Sequence, residues 1–108
     1  MAGYKEKLNE LLITTAKQNA SDLHLAVGRR PTLRVDGVLV SLQKEPIMTP
    51  EVTEGVIMEL LTDDRKAILA RDKQVDFAYG FEDKARFRVN VYYQRGYPAA
   101  ALRLIPTR

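Results

Sequence analysis

The sequence predicts an α+β domain, with one antiparallel sheet of about six strands and helices packed on one face. Three observations predict it. Apolar residues recur at helical spacing near the N-terminus and again in the middle of the chain. Runs alternating apolar and polar residues precede the central helical stretch and follow it. The links between neighbouring runs are too short for crossovers, so adjacent strands pair antiparallel.

Residues 4–18 carry Leu8, Leu11, Leu12 and Thr15 on one stripe, an amphipathic helix. Strands follow near 22–27, 32–36 and 38–42. In the first, Asp22, His24 and Ala26 face one way and Leu23, Leu25 and Val27 the other. Gly28 to Pro31 breaks the alternation, and Leu33 and Val35 resume it. Asp36-Gly37 then joins two strands, because both central positions of a type I′ turn need positive φ. Thr49-Pro50 starts a helix with a hydroxyl cap and a first-turn proline, and Val52, Val56, Leu60 and Leu61 mark its buried face. A shorter helix begins at Thr62-Asp63-Asp64, where acids favour the N-terminal dipole, and carries Ile68 and Leu69. From Val75 the period returns to two. Val75, Phe77, Tyr79 and Phe81 share one face, and Asp76, Ala78 and Gly80 the other. Glu82-Asp83-Lys84 turns the chain into strands over 85–93 and 99–105.

The 108 residues, 45% hydrophobic and 29% charged, suit one domain with a modest core. No apolar run approaches the roughly 18 residues of a membrane span. The opening MAGYKEKLNELL lacks the continuous apolar stretch of a signal peptide. With no cysteine, disulfides and thiolate metal sites are excluded, which fits a reducing cytoplasm. A single histidine excludes a multi-histidine metal centre within the chain. Asp63, Asp64, Asp72 and Asp76 read as caps and surface charges, so no metal site is expected.

The net charge is +3, and all of the surplus lies in residues 55–108. From Lys84 onward the cations Lys84, Arg86, Arg88, Arg95, Arg103 and Arg108 meet no acid. A one-signed segment faces either solvent or a negative partner. Alternation puts Arg86, Arg88, Asn90 and Tyr92 on one face and Phe87, Val89, Val91 and Tyr93 on the other. After the turn, Leu102 and Leu104 read as buried and Arg103 as opposite them, while Arg95 sits at the turn beside Gly96. Guanidinium groups keep their charge and offer a planar donor fork to phosphate. The plainer reading is a solvated face with salt bridges to Glu82 or Asp83.

His24 invites a catalytic reading, and Asp22 on the same face is placed to orient it. A dyad with no nucleophile is not an enzyme, so both residues read as structural or interfacial. No Gly-x-x-x-x-Gly-Lys-Ser/Thr loop occurs anywhere, which excludes nucleotide hydrolysis by that route. Tyr92, Tyr93 and Tyr97 beside Arg88 and Arg95 leave open a stacking platform for single-stranded nucleic acid; the alternative is ordinary strand packing.

Three motifs agree in order: ASDLHL at 20–25, the PTLRVDG hairpin at 31–37, and ARFRVN at 85–90 followed by Gln-Arg-Gly and LRLIP at 102–106. Together they resemble the N-terminal domain of the twitching-motility, or pilus-retraction, ATPases (PilT-like), within the secretion ATPase superfamily. The resemblance implies a PAS-like domain over 1–105, with 106–108 starting a linker to a RecA-like ATPase domain that lies beyond this chain. It implies no catalytic residue here and no hydrolysis by the domain alone. ATP, with Mg2+ held by the ATPase domain, would meet arginines of this domain: Arg88, Arg95 and Arg103, with Arg86 beside them. The implied partners are the chain's own ATPase domain, neighbouring subunits of a homohexamer and a pilus platform protein. The implied location is cytoplasmic, peripheral to the inner membrane. Alternatives are a related type II secretion or pilus-assembly ATPase, a stand-alone nucleic-acid module using hairpin 84–103, and a small-molecule sensor suggested only by the PAS-like shape.

Overall fold

The computed structural model describes residues 3–106. Its element order is α1 (Tyr4–Lys17), β1 (Asp22–Leu25), β2 (Thr32–Val35), β3 (Val38–Ser41), α2 (Pro50–Met58), α3 (Asp63–Asp72), β4 (Gln74–Phe81), β5 (Ala85–Gln94) and β6 (Tyr97–Ile105). The six strands form one sheet in the order β3-β2-β1-β6-β5-β4, with every neighbour antiparallel. This is the expected α+β architecture. The central join is β1 against β6, with Leu23 opposite Leu102, and it fuses the two three-stranded halves.

Local chemistry accounts for the ends. The Gly3 N–H donates to Glu6 Oε1 at 3.0 Å and secures the start of α1. Thr49 Oγ1 accepts from the Val52 N–H, and Thr62 Oγ1 from the Arg65 N–H, capping α2 and α3. Asp36 and Gly37 have φ of 52° and 81°, and Arg95 and Gly96 have 55° and 84°, so both tight hairpins use the left-handed region.

One face of the sheet is the core. Leu23, Leu25, Leu33, Phe87, Val89, Val91 and Leu102 bury against Leu8, Leu11 and Leu12 of α1 and Val56 and Ile57 of α2. α3 covers β4, where the Arg65 guanidinium lies 4.6 Å from the Phe77 ring centroid. The opposite face is left open, and there polar residues gather.

Three boundaries differ from the expected ones by more than a single residue. β1 stops at Leu25 because the chain then pairs with the segment before α2: the Gly28 N–H donates to Met48 O, and the Met48 N–H to Arg29 O. α2 stops at Met58, and Leu60 and Leu61 are buried from a tightened turn beyond it. Their N–H groups bond three residues back, to Ile57 O and Met58 O. β6 begins at Tyr97 and so includes Pro98. The proline is tolerated because β1 reaches only to Ala100, so no strand lies on that side at Pro98 to need its missing N–H.

Candidate functional site

Strand register builds a line of charge across the open face. Arg34 on β2 lies opposite Asp22 on β1, Asp22 opposite Arg103 on β6, and Arg103 opposite Arg88 on β5. Directly opposed residues share a face with their side chains within reach. Period-two alternation turns all four away from the core, because Leu23, Leu33, Leu102 and Val89 occupy the inward positions beside them.

Asp22 organises the line. Its Oδ1 accepts from Arg103 Nε at 3.0 Å, and its Oδ2 accepts from Ser21 Oγ at 2.7 Å. Arg34 Nε stands 3.9 Å from Oδ2, while Arg34 Nη1 donates to Gly37 O. The Asp22 side chain is 8% exposed and that of Arg103 is 73% exposed. Burial pushes the Asp22 carboxyl up. The hydrogen bonds from Ser21 and Arg103, with the charges of Arg103 and His24, outweigh it and hold the group below its ordinary value. Arg88 has no such anchor: among the described residues no carboxylate pairs with Arg86, Arg88 or Arg95. Two guanidinium groups thus stand opposite each other with one carboxylate on one of them. Like charges in that relation cost a few tenths of a kcal/mol to about 1 kcal/mol until an anion relieves them.

A second row lies alongside, with His24 opposite Ala101, Ala101 opposite Asn90, and Asn90 opposite Asp76. Asn90 Nδ2 donates to Asp76 Oδ1 at 2.8 Å. The small Ala101 leaves a floor, and Asp22, His24, Asp76, Arg88, Asn90 and Arg103 rim a shallow depression of about 300 Å3. Arg86 extends the cationic line two residues along β5, opposite Gly80 and Ile105.

Arg95 stands apart. It occupies the hairpin tip seven residues from Arg88, about 23 Å along an extended strand. There it shares a separate cavity of about 420 Å3 with Gly28, Arg29, Tyr97 and Pro98. The structure therefore brings together Arg86, Arg88 and Arg103 on one stretch of the open face and sets Arg95 apart at the hairpin tip.

Other sequence-based expectations change here. Asp22 does not orient His24; its oxygens are taken by Arg103, its cross-strand partner, and by the adjacent Ser21. None of the described arginines pairs with Glu82 or Asp83; Lys84 takes Glu82 at 3.6 Å instead. The tyrosines do not form one platform. Tyr92 and Tyr97 lie on the open face, while Tyr93 turns to the other and carries Lys73 5.6 Å from its ring centroid. The Asp22–Arg103 and Asp76–Asn90 contacts escaped the sequence reading. The first depends on β1 meeting β6, which no local pattern announces. The second was within reach once β4 and β5 were read as a hairpin. Among the described residues no group of three or more histidine, cysteine or acidic side chains could hold a metal ion. No helix there is long and apolar enough to cross a membrane.

Comparison with known proteins gives a consistent picture. No protein-family model matches the chain. The type IV pilus retraction ATPase PilT of Pseudomonas aeruginosa is 35% identical over 101 residues, covering 94% of this chain and 29% of that protein. A crystal structure of the pilus retraction motor PilT with bound ADP superposes with a TM-score of 0.86 at 38% identity, over 93% of this chain and 29% of that one. The Legionella pneumophila ATPase DotB shares the fold, with a TM-score of 0.74 at 23% identity over 94% of this chain and 29% of that one. The chain thus spans 29% of the length of the PilT protein it matches.

Proposed function

Because this chain matches an N-terminal domain of the PilT-like ATPases, we propose that it is the N-terminal module of a hexameric type IV pilus retraction ATPase. In this role Arg88 and Arg103 contact the phosphates of ATP, and the module does not hydrolyse ATP alone. The observation that carries the reading is the register of β5 and β6. It sets Arg88 and Arg103 opposite each other on the uncovered face, with Asp22 the one carboxylate bound to the pair among the described residues. Two such cations side by side suit a polyanion better than any single carboxylate.

The module is assigned residues 1–105 and the start of the linker 106–108; Met1, Ala2, Thr107 and Arg108 lie outside the described residues. A RecA-like domain supplies the phosphate-binding loop and holds Mg2+. The open face turns toward nucleotide bound there or in a neighbouring subunit. Each charge-assisted contact from a shielded arginine contributes roughly 1.5–3 kcal/mol. Two of them supply the few kcal/mol by which a closed domain arrangement can distinguish ATP from ADP. Arg86 supports the same phosphates. Arg95 meets nucleotide separately from the hairpin tip, so its variant behaves independently of the other three. Asp22 and His24 serve the structure and the interface. The assembled ring works in the cytoplasm at the inner-membrane base of the pilus, against a platform protein.

The test is steady-state ATPase activity of the intact ATPase carrying Arg88→Ala or Arg103→Ala. Turnover falls while the far-UV circular dichroism stays unchanged; melting is unchanged for Arg88→Ala and drops by about 5 °C for Arg103→Ala, which loses the Asp22 contact. Wild-type turnover in both variants defeats the proposal.

A further inference from the structure

We infer that Asp22 is a positioning residue for Arg103, fixing its guanidinium so that the Nη groups meet an oxyanion beside Arg88. This rests on the phosphate-contact reading above and deepens it. A guanidinium offers one Nε–H and four Nη–H donors. Asp22 takes the Nε edge at 3.0 Å. No other side-chain hydrogen bond or ion pair of Arg103 occurs among the described residues, and its side chain is 73% exposed. The end of the fork therefore stays available to a ligand while its root is held.

The holder is itself held. Asp22 is buried, and its β1 backbone pairs with β2 on one side and β6 on the other. Its second oxygen accepts from Ser21 Oγ, and Arg34 Nε flanks that oxygen at 3.9 Å. It cannot follow Arg103 if the arginine swings away. An exposed arginine free in all its rotamers pays an entropic cost to meet a ligand, and an arginine already anchored pays less. Among the described residues Arg88 lacks any such anchor, so the two opposed arginines differ: Arg103 is preset and Arg88 adapts.

Charge alone predicts the opposite sign. Asp22 is an anion next to a phosphate site, so on Coulombic grounds its removal tightens binding of ATP. Positioning predicts that its removal weakens the productive contact. The experiment measures kcat and KM for ATP in the intact ATPase carrying Asp22→Ala, Asp22→Asn, Arg103→Ala and the double variant Asp22→Ala/Arg103→Ala. Melting curves confirm folding. Asp22→Ala lowers kcat/KM about tenfold, the scale of one charge-assisted contact. Asp22→Asn keeps an acceptor oxygen at Oδ1 and recovers part of the loss. In the Arg103→Ala background, Asp22→Ala has no further effect, because it acts through that arginine. The inference is overturned if Asp22→Ala matches or exceeds wild type, or if its loss persists undiminished without Arg103. If Arg103→Ala itself leaves kcat/KM unchanged, the phosphate reading falls and the positioning role falls with it.

Discussion

Asp22→Asn tests the centre of the open face through stability alone, with no nucleotide present. The substitution keeps shape and one acceptor but removes the charge. A hydrogen bond to a charged group contributes roughly 1.5–3 kcal/mol when shielded. Here the donor side chain is 73% exposed, so solvent screens the pair and the loss is about 1 kcal/mol. No buried cation is orphaned, because Arg103 already reaches water. For a domain of this size that is a fall in melting temperature of about 5 °C. The pH dependence is more specific. The native carboxyl sits below its ordinary 3.8, burial opposing and the Ser21 and Arg103 contacts prevailing. The unfolded chain therefore takes up the proton first as pH falls. The stabilisation is fully present above the ordinary value and is lost as pH drops through the native one. Urea unfolding followed by tyrosine fluorescence shows wild type about 1 kcal/mol ahead of the variant at neutral pH, and shows the gap closing as the pH drops below the ordinary carboxylate range. A gap that is unchanged or wider in acid refutes the reasoning.

Phe87→Ala removes a fully buried ring where β5 faces the core and costs about 3–5 kcal/mol, read from the urea midpoint. Gly96→Ala adds a Cβ that meets nothing, but at φ of 84°, so it costs about 1–2 kcal/mol from backbone strain alone, and Gly96→Asn costs less. Thr49→Ala deletes the acceptor for the Val52 N–H and lowers stability by about 1 kcal/mol in the same assay.

The elements were legible because their signals are local. Leu8, Leu11, Leu12 and Thr15 fixed α1 by spacing, and all four are buried. Asp36-Gly37 fixed the β2–β3 hairpin by the positive φ it tolerates. The limits of β1 and α2 were less legible, since competing hydrogen bonds from Met48 and the tightened turn at Leu60 and Leu61 decide them. The open face was half legible. Alternation along β5 and β6 placed Arg86, Arg88 and Arg103 on one side. It could not show that Asp22, 81 residues before Arg103, would bind it. That contact exists only because β1 inserts beside β6, a choice made by the whole core. Arg95 was grouped with the others by the family resemblance, and strand length sets it apart from them on the sheet.

The most direct test is the charge-conserving pair Arg88→Lys and Arg103→Lys in the intact ATPase, measured as kcat/KM for ATP. Lysine keeps the positive line but loses the planar fork and, at position 103, the Nε that Asp22 holds. Phosphate contact by these two arginines predicts a fall of about tenfold or more in each variant, with melting unchanged at position 88 and lowered by no more than about 5 °C at position 103, where the Asp22 contact is lost. Full activity in both lysine variants and in both alanine variants contradicts it, leaving the open face as a solvated surface.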